Sequence, residues 1–138
     1  MKTVVEICGR EPVLDIVGAE PLGPKIKLDA IVIAPCTGNT LARLAAGISD
    51  GAVTMAAKAH LRGDRPMVIA ISTNDAMSAN FANIARLMER KHVYFVPFGQ
   101  DDPQNKPHSL VADFALIPDT LRAALEGRQL QPILRNNK

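Results

Sequence analysis

Ala30-Ile31-Val32-Ile33-Ala34-Pro35-Cys36-Thr37-Gly38-Asn39-Thr40-Leu41 is the stretch whose reading decides the fold. It opens as a short apolar, β-branched run between Asp29 and Pro35, which reads as a strand over about residues 29–34, buried on both faces in a parallel sheet. It then passes through small polar residues into a helical pattern over about residues 40–49. Leu41, Leu44, Ala45 and Ile48 fall at i, i+3, i+4 and i+7, on one helix face. Asp50-Gly51 is read as the end of that helix. In open α/β sheets, ligands bind at such strand-to-helix turns, outside the carboxyl ends of the strands. The free N–H groups of the helix start attract anions and carbonyl oxygens.

The pattern then repeats. Val53–Leu61 predicts an alanine-rich helix, Met67–Ile71 a second buried strand, and Ser72-Thr73-Asn74-Asp75 a second polar turn. A helix from about Asn80 to Lys91 follows, its inner face assigned to Phe81, Ile84, Ala85 and Met88. Val93–Val96 predicts a third strand, Pro97–Pro107 a long polar loop, and Ile117–Leu125 a last helix that takes Pro118 in its first turn and ends before Gly127. Before the opening stretch, Val4, Val5 and Ile7 suggest a helix tail stopped by Gly9. Val13, Leu14, Ile16 and Val17 suggest a short strand, and Ala19–Lys25 a loop of fixed shape with two prolines and a glycine. Alternating strands and helices imply right-handed βαβ units and a parallel sheet covered on both sides.

The chain has 138 residues, enough for one domain with a real core. Sixteen Lys and Arg against fourteen Asp and Glu, without a block of like charge, give no sign of a nucleic-acid surface. No apolar stretch reaches the length of a membrane span or a signal peptide. Cys8 and Cys36 lack disulfide or zinc spacing, which fits a reducing cytoplasm.

Two turns on one sheet edge, Pro35–Thr40 and Ser72–Asp75, can line a single crevice. Their Asn and Thr side chains both donate and accept hydrogen bonds, which suits a heterocycle better than a bare phosphate. The same residue types also cap helices. No Gly-x-Gly-x-x-Gly and no Walker lysine is present. Cys36 near a helix start would be a nucleophile only with a histidine base, and neither His60, His92 nor His108 is tied to it by spacing. Asp101 and Asp102 are a carboxylate pair in a Pro/Asn loop, a composition that favours turn chemistry over metal binding, while the loop's length argues for a job. Met55 and Met88 read as packing residues, and Met77 stands out because it follows the second turn.

The segment from Ala34 to Asp50 resembles the Pro-Ala-Ser-Ala-Asn-Thr segment of the flavin-dependent cysteine decarboxylases and prenyltransferases. Ala70–Met77 is similar to their Pro-x-Met-Asn-x-x-Met segment. Asn74 and Met77 align there, while Ile71 and Thr73 replace the proline and the first methionine. A resemblance to the dipicolinate synthase B-subunit family covers nearly the whole chain. It is carried by Ala19–Lys25, Ala34–Asn39, Met55–Ala59, Ala70–Asp75, Val96–Pro103 and Leu125–Gly127.

That resemblance implies a flavodoxin-like three-layer α/β sandwich with a mostly parallel sheet. It implies oxidation of a dihydro- or hydroxytetrahydro-dipicolinate, a small dicarboxylate heterocycle, to dipicolinate in the mother cell of a sporulating bacterium. The partner, the dipicolinate synthase A subunit, would carry NAD(P), and self-association into a homo-oligomer is expected. FMN is the implied cofactor, held by Pro35, Thr37, Gly38, Asn39 and Thr40 with Ser72, Thr73, Asn74 and Met77. Relatives are longer at the N-terminus, so residues 1–138 are expected to form a single partial domain that lacks the first βα unit and its flavin-phosphate segment. The rival readings are a flavin-dependent decarboxylase, which Ile71 and Thr73 count against, and a non-catalytic scaffold for the A subunit.

Overall fold

The computed structural model of the chain describes residues 2–136. Two short helices lead, α1 (Lys2–Cys8) and α2 (Ile16–Ala19). Then come β1 (Ile31–Cys36), α3 (Gly38–Ala46), α4 (Ala52–Leu61), β2 (Met67–Thr73), α5 (Phe81–Met88), β3 (Val93–Phe95), β4 (Phe98–Gly99) and β5 (Leu110–Ala112). A 3₁₀ turn at Phe114–Leu116 runs into α6 (Ile117–Leu125).

β2 is the centre of the sheet. Its Met67–Ile71 run is wholly buried, so both faces are covered, and α3, α4 and α6 all pack against it. Burial of each large aliphatic side chain in this core contributes roughly 1.5–3 kcal/mol. β1 and β3 flank β2 in parallel, with Ile33 opposite Ile69 and Ile69 opposite Phe95. Beyond β3, the end of β2 is joined on the same side by β5. Ser72 and Thr73 pair antiparallel with Val111 and Leu110, and β4 pairs antiparallel with β5 in turn. The sheet is therefore mixed, with its parallel part at β1–β2–β3.

Several elements depart from the sequence reading. β1 is an edge strand and only half covered: Ile33 and Cys36 are buried while Ala34 and Pro35 are exposed. An apolar run reads alike at an edge and at a centre, because tertiary neighbours decide how much is covered. Val13–Val17 is not a strand. Asp15 caps α2, its carboxylate accepting the Gly18 N–H at 2.7 Å.

Asp50-Gly51 does not end α3. Gly47, with φ +74°, does so, while Gly51 is the N-cap of the next helix and its N–H donates to Thr54 Oγ1 at 3.1 Å. Ile48 thus falls outside the helix and stays half exposed. The last carbonyls of α3, at Leu44 and Ala45, accept the Arg90 guanidinium at 3.1 and 3.0 Å, a tie from the end of α5.

The inner face of α5 is Ile84 and Leu87, with Asn80 and Asn83 at its start. Phe81, Ala85 and Met88 point outward. β2 runs on through Ser72 and Thr73, and Phe98-Gly99 is paired rather than looped. After α6, Gln129 acts as a short strand toward β3. Its amide accepts the Phe95 N–H at 2.8 Å and donates to the Phe95 carbonyl at 2.6 Å. The end of α6 follows expectation: Gly127 has φ +76°, and Arg128 N–H reaches back to the Ala123 carbonyl.

The loop at residues 19–25 does have a fixed shape, set by contact with α4. Gly23 has φ +105°, and a Cβ there would meet the Ala59 carbonyl, 2.7 Å from its carbon. Gly23→Ala is expected to cost about 1–3 kcal/mol through this overlap and the positive φ. The measurement is urea unfolding, where the midpoint should fall at unchanged slope.

Candidate functional site

The carboxyl ends of β1 and β2 carry the two polar turns, and parallel pairing sets them side by side. Thr37 is the N-cap of α3. Its hydroxyl oxygen accepts the Thr40 N–H at 3.4 Å and bonds the Thr40 hydroxyl at 3.3 Å. Capping is thus the work of Thr37 and Thr40, and the Asn39 side chain is left exposed beside them.

The second turn closes on itself. The Thr73 hydroxyl donates to Asp75 Oδ1 at 2.6 Å, and the Asn80 amide donates to the same oxygen at 2.9 Å. Asn80 is buried, and its amide also donates to the Gly38 carbonyl at 3.4 Å across to the first turn. Asn83 donates to Asn80 Oδ1 at 2.9 Å and fixes the orientation of that amide. The first turn fits into this knot only because residue 38 has no side chain. A Cβ on Gly38 would lie 2.7 Å from Thr73 Oγ1, 3.0 Å from Asn80 Nδ2 and 3.1 Å from Asp75 Oδ1. These hydrogen bonds, Thr73 first and Asn80 second, hold the Asp75 carboxyl below its ordinary value.

A third wall comes from the segment between β4 and β5. Met77 N–H donates to the His108 carbonyl at 2.9 Å and ties the second turn to that loop. The Asp101 carboxyl is held below its ordinary value, first by the Ser109 hydroxyl and to a smaller extent by the Lys106 charge. The result is an open crevice of about 580 Å³ lined by Thr37, Gly38, Asn39, Ser72, Thr73, Asn74, Asp75, Asp101, Lys106, Ser109 and Val111. Its size is that of a small-molecule site.

Of the residues singled out in the sequence, the crevice gathers Thr37, Gly38, Asn39, Ser72, Thr73 and Asn74. Pro35 and Thr40 line a different hollow of about 300 Å³ beside Val13, Ala19 and Ala52. Met77 packs against the hydrophobic core. Lys106, Ser109 and the brace Asn80 escaped the reading. The loop's length was the one sign available for Lys106, and Ser109 lies past its expected end at Pro107.

Cys36 is fully buried, and desolvation pushes its thiol up to about 12, the reverse of what a nucleophile needs. The buried His60 ring donates from Nε2 to the Pro66 carbonyl at 2.9 Å. Among the described residues no group of three His, Cys, Asp or Glu is placed to hold a metal ion. No described helix is long and apolar enough to cross a membrane.

Comparison with known proteins places this geometry. The family described as Flavoprotein matches residues 14–126. The B subunit of dipicolinate synthase from Bacillus subtilis (strain 168) is 52% identical over 137 residues, covering 99% of this chain and 68% of the relative. The chain belongs to the flavoprotein family, among the dipicolinate synthase B subunits. The flavoprotein fold agrees: the crystal structure of the dipicolinate synthase B subunit from Bacillus halodurans superposes with a TM-score of 0.97 at 49% identity, over 99% of this chain and 70% of that one. The FMN-dependent cysteine decarboxylase SpaF is a more distant flavoprotein. It matches at a TM-score of 0.64 and 28% identity, over 89% of this chain and 70% of its own.

The sign of the Asp75 shift sets a pH test. A depressed carboxyl contributes stability that is present above the ordinary value of 3.8 and is lost as pH falls through the native value. Asp75→Asn is therefore expected to lower the melting temperature at neutral pH. The gap from wild type should close as pH drops below 3.8.

Proposed function

We propose that this chain serves as the B subunit of a dipicolinate synthase, helping to oxidise a dihydro- or hydroxytetrahydro-dipicolinate to dipicolinate at the crevice between the two turns. The observation that supports it most is the pairing of near-full-length similarity to B subunits with a crevice whose free side chains suit a heterocycle. Asn39, Ser72 and Asn74 line it with groups that donate and accept, while Thr73 and Asp75 are occupied by each other.

These residues fit the ring system of a flavin as well as that of a substrate. Thr37, Asn39, Ser72 and Asn74 are the groups that would meet polar atoms at the ring edge, and Gly38 keeps the first turn close to the second. Bound FMN, or NAD(P) on a partner A subunit, would supply the acceptor of a hydride as the substrate ring becomes aromatic. The chain's own part is to bind and orient: the turns are rigid before the ligand arrives, so little ordering is required of them.

A partner is inherent in this reading, and association with further copies is supported by Phe81 and Met88, which stand exposed on α5. A solved UbiX-like relative is described as a dodecamer.

Co-expression with the A subunit tests the reading. Dipicolinate, followed by its ultraviolet absorbance, is expected to form. Absence of product where a full-length B subunit yields it would overturn the activity. The flavin part is tested by the visible spectrum of the purified chain with and without added FMN, where bound flavin should shift and sharpen the bands. Asn39→Ala is expected to weaken flavin or substrate binding by about 1–3 kcal/mol. If affinity holds and only the melting temperature drops, Asn39 serves the fold instead.

A further inference from the structure

The crevice carries a charge balance that its ring-reading side chains leave unexplained. Among the described residues that line it, Asp75 and Asp101 are carboxylates and Lys106 is the only cation. The Asp75 carboxylate accepts the Thr73 hydroxyl and the Asn80 amide, and the Asp101 carboxyl is held below its ordinary value. With Lys106 removed, the lining would hold two negative charges and would turn away any anion. With Lys106 present the lining keeps one net negative charge, and its ammonium is the one charged group among the described lining residues that attracts anionic oxygen.

The α3 wall offers a second such place. Thr40 N–H is taken by the Thr37 hydroxyl and Leu41 N–H by the Thr37 carbonyl, so the helix start leaves the N–H groups of Gly38 and Asn39 to the crevice.

We propose that Lys106 is the carboxylate-binding residue of this crevice: its ammonium takes one carboxylate of a heterocyclic diacid, and the Gly38 and Asn39 N–H groups receive the other. This deepens the reading of the preceding subsection and rests on it. A diacid uses both places, a monoacid one, and a neutral ring neither. Lys106 therefore sets specificity as well as affinity.

The loop presents Lys106 through its backbone. Lys106 N–H donates to the Asp102 carbonyl at 2.8 Å, and the Lys106 carbonyl accepts the Ser109 N–H at 3.1 Å. Gln100 donates to the Pro107 carbonyl at 3.1 Å, and the strands β4 and β5 anchor both ends. None of these bonds uses the lysine side chain, so its replacement keeps these backbone ties, while the pull of its charge on Asp101 is kept by Lys106→Arg.

An anionic oxygen group at Lys106 has two sources, a substrate carboxylate or the phosphate of a flavin nucleotide. Calorimetric titration of the full chain separates them, using pyridine-2,6-dicarboxylate, pyridine-2-carboxylate, FMN and riboflavin at low and high salt. Lys106→Gln is expected to weaken the diacid roughly 10- to 100-fold and to flatten its salt dependence, with riboflavin unchanged. Lys106→Arg should keep most of the affinity and the salt dependence, a rescue that a purely structural role would not show. The proposal is overturned if Lys106→Gln binds the diacid as wild type does. It is overturned equally if the variant loses FMN relative to riboflavin while the diacid is unaffected, which assigns Lys106 to a phosphate. Wild type that binds no diacid at all overturns the preceding reading, and this one with it.

Discussion

The contact between Gly38 and the Thr73–Asp75–Asn80 knot is the constraint that shapes the whole site. Two strands end side by side, and each must turn into a helix without leaving buried polar groups unpaired. Asn80 meets that demand for both turns at once, giving one N–H to Asp75 and another to the Gly38 carbonyl. A single side chain thus joins the start of α3 to the start of α5. Because Asp75 is ionised, two of these bonds are charge-assisted, stronger and shorter than neutral ones. The close approach allows residue 38 no Cβ. The crevice wall is therefore set by the fold.

The same strand that supplies this knot also brings the third wall into place. β2 is longer than its apolar core requires, and its last two residues pair with β5. That pairing returns the chain from β4 over the carboxyl end of the sheet. A loop of polar residues, which could otherwise wander, is held with Asp101, Lys106 and Ser109 at the crevice. At the opposite end of α3, Arg90 completes the helix carbonyls. The helix that frames the crevice is thus secured at the end remote from the crevice as well as at the near one.

Much of the frame was legible because local chemistry marks it. β2, α4, α6 and the Gly127 stop all follow from apolar period, alanine content, an N-terminal proline and a C-terminal glycine. Where two glycines or two apolar stripes competed, local signals could not choose. Gly47 and Gly51 are both helix punctuation, and only the chain's path shows that one ends α3 and the other begins α4. Phe81 and Met88 lie at helical spacing with Ala85, a good apolar stripe, yet the core takes Leu87 beside the expected Ile84. Val13–Val17 had strand-like composition, and Asp15 turned it into a capped helical turn.

For the site, the division follows range. The residues of the two strand-to-helix turns are consecutive in sequence and sit at positions that parallel βαβ topology brings together. Thr37, Gly38, Asn39, Ser72, Thr73 and Asn74 were therefore legible from local pattern and topology. So was the parallel arrangement of the first strands, which rests on a topology rule, while the family was legible from the segments that resemble it. It took the packed chain to turn Pro35, Thr40 and Met77 elsewhere, to make Asn80 the brace, and to bring Lys106 into the crevice. The last of these depends on antiparallel pairing between Ser72–Thr73 and Leu110–Val111, residues almost forty positions apart, and no local propensity encodes so distant a register.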